Sequence, residues 1–102
     1  MYGLIVKLTV VPSRREDMIR ILKQSGANLP GCFSYVVAKD SADEKIIWVT
    51  EVWDSQASHD ASLGLPAVKN AVLEAKGVVS HLEKVAETTP GWGAGLASSH
   101  AS

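Results

Sequence analysis

Side chains capable of chemistry cluster in the segment EVWDSQASHDAS, which spans residues 51–62. Glu51 and Trp53 lie two residues apart, and on a β-strand this spacing puts both side chains on one face. An indole beside a carboxylate can form the flat wall of a pocket for an aromatic ligand. The alternative is that Trp53 is a core residue and that Glu51 forms an ion pair at the end of the strand.

His59 follows in the same segment, in the first turns of a predicted helix. Ser62 and Leu63 come one helical turn later, so they neighbour His59 on the helix surface. Because Leu63 is apolar, this face of the helix is expected to meet the sheet, where an imidazole can accept a proton near neutral pH. His59 is therefore the candidate base. The alternative is a structural histidine with a satisfied hydrogen bond.

The other potential metal ligands are scattered along the chain. Cys32, His81 and His100 show no close spacing such as His-x-x-x-His or Cys-x-x-Cys, so no metal site is predicted. No nucleotide fingerprint or nucleophile elbow is present either. The sequence thus supports neither a metal site nor a nucleotide site, and we expect a buried structural role for Cys32.

Hydrophobic periodicity and turn signals place these residues on a single α+β fold. The Ser-x-x-Glu pattern at residues 13–16 predicts a capping box at the start of the first helix, in which Glu16 and Arg20 are spaced to form an ion pair. Asp54 or Ser55 is expected to cap the second helix, and the Gly-Leu-Pro sequence at residues 64–66 to break it. The order is the ferredoxin-like β-α-β-β-α-β, a four-stranded antiparallel sheet with two helices on one face. The predicted strands cover residues 2–11, 32–39, 46–53 and 78–86, and the helices lie between residues 13 and 29 and between residues 56 and 76.

The third strand is apolar on both faces, although both helices would cover the same side. Ile46, Trp48 and Val52 alternate with Ile47, Val49 and Trp53, and the first strand has an apolar row of its own from Tyr2 to Val10. An uncovered apolar face of this size usually meets a partner. We therefore expect a homodimer in which two sheets stack about a two-fold axis. The alternative is that the tail, with Trp92 and Leu96, folds back over this face.

The composition is that of one globular domain. The chain has 102 residues, of which 46% are hydrophobic and 21% charged, and its formal net charge is −1. This charge argues against a nucleic-acid or anionic-membrane partner. No apolar run is long enough for a membrane span, and the N-terminus lacks the basic start of a signal peptide. A single cysteine excludes an internal disulfide and fits a cytoplasmic protein.

Two segments, GCFSYVVAKD and WVTEVWDSQASHDASL, resemble the antibiotic biosynthesis monooxygenase family, which includes small quinol monooxygenases. The family pattern has a Gly and a Tyr on the second strand, Glu-x-Trp on the third, and Ala-x-x-x-His or a close variant on the following helix. The matching residues here are Gly31, Tyr35, Glu51, Trp53 and Ala57 with His59, although the histidine follows the alanine by only two residues. The resemblance covers residues 1–87, and residues 88–102 form a tail rich in Gly, Ala and Ser.

This resemblance implies a dimeric α/β barrel with a pocket between sheet and helices in each protomer. It also implies O₂-dependent oxidation of a quinol, anthrone or polycyclic phenol without metal, flavin or haem. In such a site His59 is the base and Trp53 the aromatic wall. Tyr35 donates a hydrogen bond to the substrate and Glu51 orients a neighbour. Ser62 and Leu63 are further candidate substrate contacts.

Two other functions fit the same fold. The first alternative is a non-enzymatic dimeric module that binds a small aromatic metabolite. The second is a purely structural dimer without a ligand. A pocket that contains Trp53 and His59 together would favour the enzyme or the binding module over the structural dimer.

Overall fold

The computed structural model describes residues 1–96, whose elements follow the order β-α-β-β-α-α-β. The predicted break in the second helix is confirmed, because Pro66 opens a separate third helix. The elements are β1 (Tyr2–Val10), α1 (Arg15–Gly26), β2 (Cys32–Lys39), β3 (Ile46–Trp53), α2 (Gln56–Ser62), α3 (Pro66–Ala75) and β4 (Val79–Thr88). The last six residues of the predicted tail, which include His100, lie outside the described residues.

The four strands form one antiparallel sheet in the order β2-β3-β1-β4. The predicted hairpin of β2 and β3 is confirmed, and β1 lies in the centre between β3 and β4. In the register of β1 and β3, Tyr2 pairs with Trp53 and Leu4 pairs with Glu51. Directly paired residues share a face of the sheet. The register therefore places Tyr2 on the same face as Glu51 and Trp53.

The hydrophobic core lies between this face and the helices. The apolar row of β1, from Tyr2 to Val10, lies on this helix-covered face. The expectation that this row enlarges the uncovered apolar face is therefore wrong. Leu8 and Val10 of β1 pack there with Ile47 and Val49 of β3 and with Ile21 of α1. A core of interdigitated aliphatic side chains fixes the positions of the strands relative to α1.

The opposite face of the sheet, here called the outer face, carries a mixture of apolar and polar side chains. Trp48 donates a hydrogen bond to the Asp40 carboxylate at 2.8 Å, and the Lys7 ammonium lies 5.7 Å from the centre of the Trp48 ring. Val36 is 51% exposed on this face. Trp92 is 83% exposed, so its side chain does not cover the outer face as the tail alternative required.

The predicted capping box at the start of α1 is wrong. Ser13 has a left-handed backbone (φ +71°), and the helix begins one residue later than the box requires, with Arg14 at the N-cap. The Arg14 guanidinium instead contacts Asp17 at 2.6 Å. The predicted pair of Glu16 with Arg20 is also replaced, because Glu16 binds Lys39 from the neighbouring strand at 2.6 Å. For Glu16, tertiary packing thus supplied a closer partner than its own helix.

The helices are all short. Within residues 1–96, none is long and apolar enough to cross a membrane.

Candidate functional site

The candidate site lies where β3 passes into α2. Ser55 caps α2, as predicted, because its hydroxyl accepts a hydrogen bond from the Ser58 backbone N–H at 3.1 Å. The Asp54 backbone N–H donates to the Gly31 carbonyl at 2.8 Å, which ties this turn to the start of β2. These bonds fix the direction in which α2 leaves the sheet. As a result, the first turns of α2 pass over the end of β3.

The structure brings Trp53 and His59 together. Their ring centres lie 5.4 Å apart, with the ring planes at 83°, which is an edge-to-face arrangement. Trp53 is only 1% exposed, whereas the His59 side chain keeps 16% of its surface accessible. The two side chains are thus in direct contact, and His59 is the more accessible of the pair.

Glu51 is the polar partner of the buried indole. Its carboxylate accepts a hydrogen bond from Trp53 Nε1 at 2.9 Å. Burial raises the pKa of Glu51, while the Trp53 hydrogen bond and the nearby His59 oppose this shift. The ion pair considered for Glu51 is not among the contacts of residues 1–96. Glu51 is therefore a half-buried carboxylate that holds the indole in place.

The ring of His59 has a polar partner on its own helix. Nδ1 lies 3.1 Å from an Asp60 carboxylate oxygen. When Nδ1 carries the proton and donates to Asp60, Nε2 is left as the basic nitrogen. This arrangement suits a base, since one nitrogen is held and the other can accept a proton.

Ser62 and Leu63 are placed differently from the expectation that both contact a substrate beside His59. Ser62 is buried, and its hydroxyl donates to the His59 backbone carbonyl at 2.6 Å. Leu63 closes the end of α2 and is 54% exposed. Ser62 therefore supports the backbone of His59, and Leu63 presents an apolar side chain to solvent at the end of α2.

Tyr35 lies on the helix-covered face next to Glu51, with which it pairs in the sheet. Its ring packs so closely on α1 that a Cβ at Gly26 would come within 2.8 Å of it. Burial, followed by the nearby Glu51 charge, raises the pKa of the Tyr35 hydroxyl, which therefore stays protonated as a potential donor. Tyr35 thus adjoins the cluster through Glu51, on the β2 side.

Two residues of the cluster were not singled out from the sequence. The Tyr2 ring centre lies 5.5 Å from that of His59, and the Tyr2 hydroxyl donates to Glu87 at 2.6 Å. This hydrogen bond is the main reason why the pKa of Tyr2 rises to about 12 and that of Glu87 falls. The signal that would have found Tyr2 is the β1–β3 register, which places it opposite Trp53.

A surface cleft of about 300 Å³ lies on another side of α2. Of the candidate residues, Ser62 lines this cleft, whereas His59 and Trp53 do not. The expected pocket with both aromatic residues in its wall is therefore not this cleft. The lining residues are Pro30, Gly31, Asp54, Ser58, Ala61, Ser62 and Leu65.

Few potential metal ligands lie close together around His59. Among the residues that the structure describes, no group of three or more His, Cys, Asp or Glu side chains converges in a way that could hold a metal ion. His59 meets a carboxylate and two aromatic rings, and Cys32 donates to the Ser34 carbonyl at 3.4 Å.

Comparison with known proteins points to one family. The family model described as antibiotic biosynthesis monooxygenase matches residues 1–73. A solved structure from Chloroflexus aurantiacus J-10-fl, provisionally named as an antibiotic biosynthesis monooxygenase, is 45% identical with a TM-score of 0.89. The alignment covers 93% of this chain and 97% of that one. No curated protein matches the chain.

More distant structures share the fold. One from Deinococcus radiodurans, also provisionally named as an antibiotic biosynthesis monooxygenase, has 23% identity and a TM-score of 0.77, and the alignment covers 91% of this chain and 95% of that one. One from Nitrosomonas europaea with the same provisional name has 12% identity and a TM-score of 0.81. The alignment covers 90% of this chain and 100% of that one. At these identities the likeness shows the fold alone.

Proposed function

Because the chain belongs to the antibiotic biosynthesis monooxygenase family, we propose that it is a cofactor-independent monooxygenase that oxidises a reduced aromatic compound with O₂. The substrate class is a quinol, an anthrone or a polycyclic phenol. The active species is a homodimer. These assignments rest on the family together with the cluster around His59.

The observation that carries the proposal is the contact between His59 and Trp53. A partly accessible imidazole lies 5.4 Å from a buried indole, and the indole is fixed by a half-buried carboxylate. In this proposal His59 takes the proton of the substrate, and the buried Trp53 supports the imidazole from behind. A base held against a dry aromatic surface is suited to an aromatic substrate whose anion must be formed and kept from water.

The remaining candidates have supporting roles. Glu51 orients Trp53, and Ser62 holds the backbone that carries His59. Tyr35 donates a hydrogen bond to a substrate oxygen from the β2 side, and exposed Leu63 offers the substrate an apolar contact at the end of α2. Tyr35 and Leu63 are substrate contacts only in this proposal.

The proposed reaction can be written as a balanced sequence for an anthrone. His59 removes a proton from the substrate, and the resulting anion transfers one electron to O₂. The substrate radical and superoxide combine to form a carbon–oxygen bond, which gives a peroxide. Loss of water from the protonated peroxide leaves a carbonyl group where the substrate had two hydrogens. One oxygen atom enters the product and the other leaves as water.

The proposal predicts O₂ uptake without added metal or flavin. Purified protein would be tested with reduced naphthoquinols and an anthrone, and uptake compared with the autoxidation rate. We expect His59→Ala to lower kcat by about 10²- to 10⁴-fold, since this is the usual contribution of a positioned base. Trp53→Phe, which keeps an aromatic ring but loses the bond to Glu51, should lower it less.

Two matched variants control this experiment. His81→Gln removes a histidine from exposed β4, and Trp92→Phe changes an exposed tryptophan. Both should keep the activity, provided light scattering shows the same assembly. Uptake that is unchanged in His59→Ala would remove the assignment of the base. If no substrate raises uptake above autoxidation but one quenches tryptophan fluorescence, the non-enzymatic binding module becomes the better explanation.

A further inference from the structure

His59 contacts two rings that are held by different means. Trp53 is enclosed in the core and bonded to Glu51. Tyr2 is only partly buried, and its ring lies 5.5 Å from His59 at an angle of 44°. A partly exposed aromatic ring can change rotamer unless its far end is tied. The position of Tyr2 therefore depends on its hydroxyl.

Glu87 ties that hydroxyl. Tyr2 Oη donates to one oxygen of Glu87 at 2.6 Å, and the other oxygen lies 3.3 Å from the Lys84 ammonium. A short hydrogen bond to a carboxylate is among the stronger ones in proteins. A chain of contacts thus links Glu87 on β4, Tyr2 on β1 and His59 on α2. Glu87 lies beyond residues 1–73, which the family model matches.

We infer that Tyr2 is a positioning residue for His59 and that Glu87 is its anchor. The anchored ring holds the imidazole between itself and Trp53, with Nδ1 on Asp60, and leaves Nε2 as the proton acceptor. This inference rests on the proposed function, in which His59 is the base. The charged groups around the ring are Glu51, Asp60, Glu87 and Lys84.

The test reads the imidazole directly and needs no substrate. Long-range ¹⁵N–¹H spectra of the protein, recorded at a pH where imidazole is neutral, report which ring nitrogen carries the proton. His59→Ala identifies the signals of His59. We expect the wild type to show one tautomer with the proton on Nδ1. Tyr2→Phe keeps the ring but loses the hydroxyl, and Glu87→Ala removes the anchor. Both should give a mixture of tautomers and shifted ring protons.

Conservative and control variants separate positioning from folding. Glu87→Gln keeps an oxygen that accepts the Tyr2 hydrogen bond, so it should retain the wild-type tautomer. The double variant Tyr2→Phe with Glu87→Ala should change the tautomer mixture and ring shifts of His59 no more than either single variant does, because the two residues act as one unit. Glu44→Ala removes a carboxylate from the exposed β2–β3 turn, at the other end of β3. This control should leave the tautomer and ring shifts of His59 unchanged.

The inference fails if Tyr2→Phe and Glu87→Ala both leave the tautomer and ring shifts of His59 unchanged. It also fails if Glu87→Gln behaves like Glu87→Ala. The proposed function fails by a different result, namely the absence of O₂ uptake in the wild type. Once a substrate is found, Tyr2→Phe should lower kcat by about tenfold with little change in KM, as expected for a misplaced catalytic group.

Discussion

His59 contacts aromatic rings from two strands that are far apart in the chain, and the carboxylates of Asp60, Glu51 and Glu87 lie around it. Glu51 is the most buried of these and is hydrogen-bonded to Trp53. Its charge is partly removed from water, which is why its pKa is raised. The proposed site therefore combines a fixed indole with a carboxylate whose ionised form costs stability.

Glu51 predicts a pH dependence of folding. Because its folded pKa is raised, the stability that protonated Glu51 contributes is complete below the ordinary glutamate pKa of about 4.5 and is lost as pH rises through the folded value. Glu51→Gln keeps an acceptor for Trp53 Nε1 without the charge. We expect the free energy of unfolding of Glu51→Gln to increase relative to that of the wild type as pH rises above the ordinary glutamate pKa of about 4.5, because the buried carboxylate of the wild type then becomes charged.

Urea denaturation at a series of pH values measures this difference. Glu44→Gln, in the exposed β2–β3 turn, is the matched control. Its free energy of unfolding should depend on pH in the same way as that of the wild type. A difference between Glu51→Gln and the wild type that is constant over the range would show that the Glu51 carboxylate has no raised pKa in the folded protein.

At the scale of elements, the start of β2 and the start of α2 are in close contact. Gly31 has a left-handed backbone (φ +81°), and a Cβ there would come within 2.7 Å of the Ser58 side chain and 2.9 Å of Asp54. A side chain at this position would therefore push α2, which carries His59, away from the sheet. The glycine is needed both for the backbone conformation and for the close approach.

Gly31→Ala is expected to destabilise the protein by about 1–3 kcal/mol, the usual cost of a strained backbone conformation. It should also disturb the His59 ring signals, because α2 must shift. Gly77→Ala is the control: a Cβ at Gly77 meets no atom within 4 Å, and its φ is not left-handed. Denaturation and the imidazole spectra together measure both effects. Equal stability of the two variants would contradict the close packing of β2 on α2.

At the scale of the whole molecule, the outer face of the sheet remains partly accessible. Trp48 and Val52 are only partly buried there, Val36 is largely exposed, and Trp92 of the tail does not pack over them. A face of this kind fits a second copy of the chain, which would complete the proposed dimer.

Light scattering is expected to give twice the mass of the 10.9 kDa chain. Val52→Lys should shift the assembly toward monomer, because a lysine buried between two sheets would lose its hydration without a partner. Val72→Lys, at an exposed apolar position on α3, should remain dimeric. A monomeric wild type at micromolar concentration would contradict the stacking of two sheets.

Local patterns in the sequence were sufficient for most of the fold. Apolar segments bounded by turn signals identified all four strands. The Gly-Leu-Pro break and a cap at Asp54 or Ser55 were predicted because each acts within a few residues. The pair of Glu16 with Arg20 failed for the converse reason, because Lys39, which is distant in sequence, binds Glu16 instead. The capping box failed locally, because Ser13 has a left-handed backbone and the helix begins after Arg14.

The sequence by itself determined the order of the elements, the shared face of Glu51 and Trp53, and the neighbouring position of His59 on α2. Only the tertiary structure decided that Trp53 is buried, that Ser62 bonds to the backbone of His59, and that Tyr2 and Glu87 join the cluster. The physical reason is the range of the interactions. Periodicity and capping depend on near neighbours, whereas the partners of His59 depend on the register of β1 between β3 and β4, which packing of the whole sheet sets.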